Sequence, residues 1–184
     1  MNKNSVVAAV FAACFIPAAS CPAAEPSPFA SDGVSFEVGH GNGTDMWRIG
    51  VTRKWQKSWL EAGNWHLRGY WELQYGEWSG HEKNTIHDLG FTPVFRVQQI
   101  ERSRFSPYVE GAIGFHLIQP VRLDPSRGFS TSFQFGDHVG AGVRFGERQK
   151  FDLGVRIQHL SNGGIKEPNN GINFTQLRFV INLD

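Results

Sequence analysis

The chain has 184 residues, enough for one domain, and its 18 basic against 17 acidic side chains give no electrostatic basis for binding nucleic acid. Beyond the first segment no apolar run reaches the ~18 residues of a membrane helix, which excludes a helical membrane protein. Aromatic residues at 13% and 21 glycines, spread through short alternating segments, point instead to an all-β protein.

Residues 1–24 carry Lys3, an apolar stretch from Val6 to Ile16, and small residues ending in Pro22-Ala23-Ala24. That is the layout of a secretory signal peptide, so the mature domain is expected over 25–184, beginning near Ala24 or Glu25. Cleavage there removes Cys14 and Cys21 and leaves no thiol for a disulfide, a metal site or a nucleophile. Ala18-Ala19-Ser20-Cys21 lacks the leucine usual in a lipidation signal.

Weaker strands are expected near 33–40 and 45–55. In 65–77 the odd positions Trp65, Leu67, Trp71, Leu73 and Tyr75 are apolar, against His66, Arg68, Glu72 and Gln74 on the even ones. The same parity continues in 86–97 through Leu89, Phe91, Phe95 and Val97, and in 105–117 through Phe105, Val109, Ile113, Phe115 and Leu117. It holds again in 133–145, where Phe133, Phe135, Val139, Ala141, Val143 and Phe145 oppose Gln134, His138 and Arg144. Pro93 and Pro107 each remove a ladder donor, so bulges or strand starts are expected there. With strands from 151 and near 172–183 the count is about eight, and their length suits a tilted strand crossing a bilayer. Loops are expected over Gly76–Asn84, Gln119–Ser130 and Ser161–Gly171.

Alternation alone does not separate a membrane barrel from a soluble lipid-binding barrel, in which the apolar face turns inward. Three features favour apolar-out. The polar face carries Arg68, Glu72, Arg96, Glu110, Arg144 and Arg156, too many charges for a ligand cavity but able to pair within a narrow lumen. Trp47, Trp55, Trp59, Trp65, Trp71, Tyr75 and Trp78 gather near strand ends as an interfacial girdle would. Thr175, Leu177, Phe179, Ile181 and Leu183 form an alternating C-terminal strand resembling the terminal signal of outer-membrane barrels, although the chain ends on Asp184 rather than an aromatic residue.

In 151–162 the apolar face Phe151, Leu153, Val155, Ile157 continues into His159 and Ser161. A base and a nucleophile thus share a face directed at hydrocarbon, with alternate side chains roughly 6–7 Å apart along a strand. A kink at Asn162-Gly163-Gly164 would shorten that distance. The alternative reading is a pair of interfacial polar residues. Gly163, Gly164, Asn169, Asn170 and Gly171 provide turns, backbone N–H groups and amides, the material of an oxyanion hole. If the turn Gly146–Lys150 pairs Phe145 with Phe151, the partner of His159 is Asp137, either a group orienting the imidazole or a carboxylate idle in the headgroup layer. Asn173 shares the outward parity and falls near His159 from the last strand.

The run Gln158-His159-Leu160-Ser161-Asn162-Gly163-Gly164-Ile165-Lys166-Glu167-Pro168-Asn169-Asn170-Gly171-Ile172 resembles the signature of the outer-membrane lipid A 3-O-deacylases, the PagL family. Phe135-Gly136-Asp137-His138-Val139-Gly140-Ala141-Gly142 resembles a second segment of that family. The resemblance implies an eight-stranded antiparallel outer-membrane β-barrel that hydrolyses the ester-linked hydroxyacyl chain at position 3 of lipid A. It implies His159 as general base, Ser161 as nucleophile, Asn169 and the backbone of Gly164 as oxyanion stabilisers, and Asn162 as support for that turn. Asn173 stands where the best-known members carry a glutamate, so either Asn173 suffices, or Asp137 or Glu167 supplies the charge, or the protein is slow.

The expectation is therefore an outer-membrane esterase acting on lipopolysaccharide, without cofactor or metal: His40, His66, His81, His87, His116 and His138 show no ligand spacing. Nucleic acid is not an expected partner, and a homodimer is left open. The alternative is a catalytically silent small barrel with a structural or adhesive role, which would have no reason to place His159 and Ser161 together among lipid-facing residues.

Overall fold

The computed structural model describes residues 31–101 and 103–183; the signal-peptide reading of 1–24, both cysteines and Asp184 lie outside the described residues. Among the described residues, eight long antiparallel strands form a closed up-and-down barrel. They are β1 (Gly33–Gly41), β2 (Thr44–Lys54), β4 (Trp65–Ser79), β5 (Ile86–Gln99), β6 (Phe105–Gln119), β9 (Phe133–Phe145), β10 (Phe151–Ser161) and β11 (Ile172–Asn182). Each pairs with the next along the chain, and β11 returns to pair with β1. Short strands β3 (Trp59–Ala62), β7 (Arg122–Asp124) and β8 (Arg127–Gly128) decorate the connections. Asn42 and Gly43 have φ of 53° and 65°, the left-handed pair of a tight hairpin turn that accepts Asn-Gly with little strain.

The connections 42–43, 80–85, 120–132 and 162–171 lie at one end, while 55–64 and 146–150 lie at the other with both ends of the described chain, so the long connections, 120–132 above all, gather at the first end. Outer-membrane barrels keep short turns in the periplasm and longer loops outside, so the end of β10 that carries Ser161 is extracellular.

The wall inverts the usual order of a soluble protein. Phe36, Ile49, Leu73, Phe95, Val109, Ile113, Leu117, Val139, Ile157 and Leu177 face outward and are exposed, which disposes of the lipocalin-like alternative. Glu37, Arg48, Glu72, Asp88, Arg96, Glu110, Asp152, Arg156 and Arg178 are buried inside. With no water in the hydrocarbon layer, polar groups must find partners internally. Arg156 donates Nε to Glu110 at 2.8 Å and Nη1 to Glu72 at 2.9 Å and also to Glu37. Arg96 bridges Glu110 at 2.7 Å and Asp152 at 2.6 Å. Arg48 and His116 hold the two oxygens of Asp88, at 2.8 Å and 2.7 Å. Glu72 thus ties β4 to β10 and β11, and Glu110 ties β6 to β5 and β10.

Two expectations are corrected. Trp78 is not in the interfacial girdle: it is fully buried inside the barrel, its Nε1–H donating to Asp88 at 3.2 Å, because its even number gives it the inward parity. Pro93 makes neither a bulge nor a strand start. The β5–β6 register is the same at Phe91↔Phe115 and Val94↔Ala112, and Pro93, which has no N–H to lose, sits opposite Trp71 on its other side. Pro107 lies at the third position of β6, near its start as expected.

The extracellular third of the lumen is not polar. Met46, Trp78, Ile86, Ile118, Leu123, Phe129, Leu160, Ile172 and Phe174 form a buried apolar cluster there, with Trp78 in edge contact with Phe129 and Phe174. The 120–132 connection supplies Leu123 and Phe129 and so folds back over the mouth. Removing one partner of a buried ion pair leaves an uncompensated charge, so Glu72→Gln should lower the unfolding free energy by about 3–5 kcal/mol. Urea titration of the barrel in lipid vesicles measures that loss.

Candidate active site

His159 and Ser161 occupy alternate positions at the extracellular end of β10, both on the outer wall, with Leu160 between them directed inward and fully buried. The expected pairings are present: His159 lies opposite Asp137 on β9 and opposite Asn173 on β11. Behind the site, Leu160, Ile172 and Phe174 are locked into the apolar cluster, which fixes the strands that carry His159 and Asn173.

The imidazole is oriented from β11. Its Nδ1 lies 2.7 Å from Asn173 Oδ1; an amide oxygen only accepts, so Nδ1 carries the proton and Nε2 presents its lone pair. The β10–β11 register sets Gly171 alongside Ser161, and the Cε1–Nε2 edge of the ring rests against this residue. A Cβ added at Gly171 would lie 2.9 Å from His159 Cε1 and 3.4 Å from Nε2. Gly171 also has φ of 59°, a left-handed conformation that favours glycine. The ring therefore leans toward β11 and the rim, where Ser161 sits. Asp137, on the opposite side, makes no contact with it that would orient it. Asn173 is itself held: its N–H donates to Asn42 Oδ1 of the β1–β2 turn at 3.2 Å.

The 162–171 loop folds around Asn162. Its Oδ1 accepts from Gly164 N–H at 2.9 Å, and its Nδ2 donates to Lys166 O at 2.7 Å and Phe129 O at 2.8 Å. Asn162, expected as support for the oxyanion turn, thus has its whole carboxamide engaged within the protein and acts as the staple of that turn. Gly164 N–H, the expected backbone donor, closes that same Asx turn. Asn169 differs: its Oδ1 accepts Asn162 N–H at 3.1 Å, which leaves Nδ2, on the other branch of the planar amide, as a donor. Glu167 accepts from Asn169 N–H at 2.8 Å and has no bond to His159.

Residues 127–130 of the neighbouring loop were not singled out from the sequence, yet they brace this segment. Arg127 donates to Gly171 O; Gly128 and Asn170 exchange bonds of 3.0 Å and 3.2 Å; Ser130 donates to Pro168 O at 2.9 Å. No local pattern marks them, since each partner lies about forty residues away in the chain.

Below His159 a groove of about 620 Å³ opens on the outer wall, lined by Pro93, Phe95, Gly111, Ile113, Asp137, Val139, Ile157, His159 and Asn173 among others. Two rows of outward residues define it. Asn173, His159, Asp137 and Ile113 lie in register across β11, β10, β9 and β6, and below them run Thr175, Ile157, Val139, Gly111 and Phe95. Gly111, lacking a side chain between Val139 and Phe95, makes the depression. Among the described residues there is no cluster of ligands suited to a metal ion. A polarised imidazole, a serine on its face, an amide donor and an apolar trough together suit acyl transfer from a lipid.

Known proteins resemble this chain over most of its length. The family model described as lipid A 3-O-deacylase (PagL) matches residues 45–182. The lipid A deacylase PagL of Pseudomonas aeruginosa is 35% identical over 150 residues, covering 80% of this chain and 84% of that protein. That of Bordetella bronchiseptica is 29% identical over 172 residues, covering 88% and 89%. The crystal structure of the outer membrane enzyme PagL superposes with a TM-score of 0.75 at 32% identity, covering 82% of this chain and 99% of that one.

Gly171→Ala tests the seat of the imidazole. The new methyl group displaces the ring, and labelling of Ser161 by a serine-reactive phosphonate should slow by about tenfold or more, the order of a 1.4 kcal/mol loss of alignment.

Proposed function

The chain belongs to the lipid A 3-O-deacylase family, and on that basis we propose that it is a serine esterase that hydrolyses the hydroxyacyl chain at position 3 of lipid A. The observation that carries this reading is the 2.7 Å bond from His159 Nδ1 to Asn173, on a lipid-facing wall, with Ser161 next on the same face. A serine and an oriented histidine directed into hydrocarbon have a use only if the reacting ester is there too. The outer leaflet supplies that geometry, since the acyl chains of lipid A lie against the barrel and the ester sits at their polar end.

Ser161 Oγ attacks the ester carbonyl carbon while His159 Nε2 takes its proton. Asn173 accepts the Nδ1–H bond, holds the tautomer and steadies the imidazolium. Asn169 Nδ2 donates to the carbonyl oxygen as it becomes an oxyanion, and Gly164 N–H joins it by sharing its bond with Asn162. Collapse of the tetrahedral intermediate breaks the bond to the sugar oxygen, which leaves with the proton held on Nε2. A water, deprotonated by Nε2, then attacks the acyl-serine, releasing a 3-hydroxy fatty acid and regenerating Ser161. Among the described residues no hydrogen bond joins Ser161 to His159; a nucleophile-to-base contact of this kind closes when substrate binds.

Asn173 in place of the glutamate of better-known members has a calculable cost. A neutral amide stabilises imidazolium less than a carboxylate does, and charge-assisted bonds exceed neutral ones by about 1 kcal/mol.

Mass spectrometry of lipid A from outer membranes containing the protein should show loss of one hydroxyacyl unit, absent with Ser161→Ala and with His159→Asn. Lipid A unchanged by the folded wild-type barrel would overturn the reading. Asn173→Glu should raise turnover by about fivefold to tenfold, and Asn169→Ala should lower kcat by about a hundredfold, the worth of one oxyanion donor. Both are read from release of the free fatty acid in detergent micelles.

A further inference from the structure

Below the ion lattice, at the periplasmic end of the lumen, a cavity of about 140 Å³ carries an excess of positive charge. Among the described residues its wall includes Lys54, Arg68, Arg96, Arg144, Arg148 and Arg178, against the single carboxylate of Asp152. That carboxylate is already engaged, by Arg96 Nη1 at 2.6 Å and the Tyr108 hydroxyl at 2.5 Å. Three of the guanidinium groups have donors left over. Arg178 is fully buried; its Nε and Nη2 hold Glu72, but Nη1 has no hydrogen bond and stands 4.0 Å from Asp152 Oδ2. Arg68 donates Nε to Trp55 O at 2.7 Å, and among the described residues nothing accepts from its two Nη groups. It also lies directly opposite Arg96 across the β4–β5 pair, a like-charge pairing that is unfavourable unless an anion lies close by. Arg148 makes no hydrogen bond or ion pair among the described residues, yet it lines the cavity from a turn in which its own φ is 54°. That left-handed conformation is disfavoured for any residue but glycine. Gln149, next in the turn, is buried and bonded to Ser106, which fixes the approach of Arg148.

We infer that this cavity is a phosphate-binding site open to the periplasm, with Arg148, Arg68 and Arg178 as its donors. The three guanidinium groups arrive from different sides, the 146–150 turn, β4 and β11, which suits the tetrahedral oxygens of a phosphate better than a flat carboxylate. The cavity has room for one such group with an ordered water. The lattice above it is closed on itself, since each of its carboxylates already holds an arginine. The surplus of positive charge is therefore confined to the mouth, where an anion from the periplasm meets it first. Inside the lumen the attraction is screened less than at an open surface. The ligand is the phosphoryl group of a soluble ester or the headgroup of an inner-leaflet phospholipid, both of which present the same oxygens. Bound there, it ties β4, β11 and the β9–β10 turn together and stabilises the periplasmic end of the barrel. The site lies at the end of the barrel opposite Ser161 and does not rest on the deacylase reading.

Isothermal titration calorimetry of inorganic phosphate into the purified full-length barrel, in nonionic detergent micelles, tests the site, with sodium chloride at matched ionic strength as the blank. The wild type should bind one phosphate per barrel, and its thermal unfolding midpoint should rise with phosphate concentration. Arg148→Asn and Arg68→Gln should each weaken binding by about tenfold or more, the loss of one charge-assisted contact. Asparagine tolerates the left-handed backbone at 148, so that variant should assemble, as far-ultraviolet circular dichroism would verify. Doping the micelles with phosphatidylglycerol, with phosphatidylcholine as control, identifies the source. Displacement of phosphate by the anionic lipid alone assigns the site to a headgroup, and no displacement assigns it to a soluble phosphate ester. The inference is overturned if the wild type binds no phosphate above the chloride blank, or if Arg148→Asn binds it as well as the wild type does, which would make the contact adventitious.

Discussion

The lattice of guanidinium and carboxylate groups that fills the middle of the barrel is the interaction on which the rest depends. Arg156 alone reaches Glu37, Glu72 and Glu110 from three different strands, and Arg178 adds a second bond to Glu72. In a hydrocarbon surround no water is available to replace a missing partner, so these charges are satisfied together or not at all. A shift of one strand by one residue would exchange a buried arginine for an outward leucine and break several pairs at once. Electrostatic closure of the lumen therefore sets the register of the wall outside it.

The site is a consequence of that register. Asn173, His159 and Asp137 come from three strands and meet in one row because β9, β10 and β11 are held in a single alignment. Positions that alternate with them point inward, where Leu160, Ile172 and Phe174 pack into the apolar cluster under the extracellular mouth. The wall that carries His159 and Ser161 is thus backed by a dry core at its outer end and by the ion lattice deeper in. The loop that follows Ser161 is stapled from within by Asn162 and from its side by residues 127–130, so the amide and backbone donors stand on a braced segment rather than a free one.

In the proposed reading, placing the hydrolytic groups on the outside of a barrel answers a problem of access. A lipid acyl chain does not need to leave the bilayer or enter a polar lumen; it needs only to lie along the wall. The same placement restricts the choice of partner for the histidine. An amide at 173 orients the ring and exposes no charge to lipid.

Much of this was legible in the sequence because strand geometry is local. A period of two assigns every side chain to one of two faces, and the charges crowded on the polar face, with the aromatic residues near strand ends, turn the apolar face outward and His159 and Ser161 with it. The short turn after Phe145 was enough to pair His159 with Asp137, since a tight hairpin leaves little freedom of register. The same parity placed Trp78 inside, though its residue type suggested the girdle; side-chain character misled where position did not. The apolar cluster built from Leu123 and Phe129, the brace of Arg127, Gly128 and Ser130 on the active loop, the engagement of Asn162 and the depression at Gly111 were settled only by tertiary structure. Each depends on segments brought together when the barrel closes, and no local periodicity records which distant strands or loops will become neighbours.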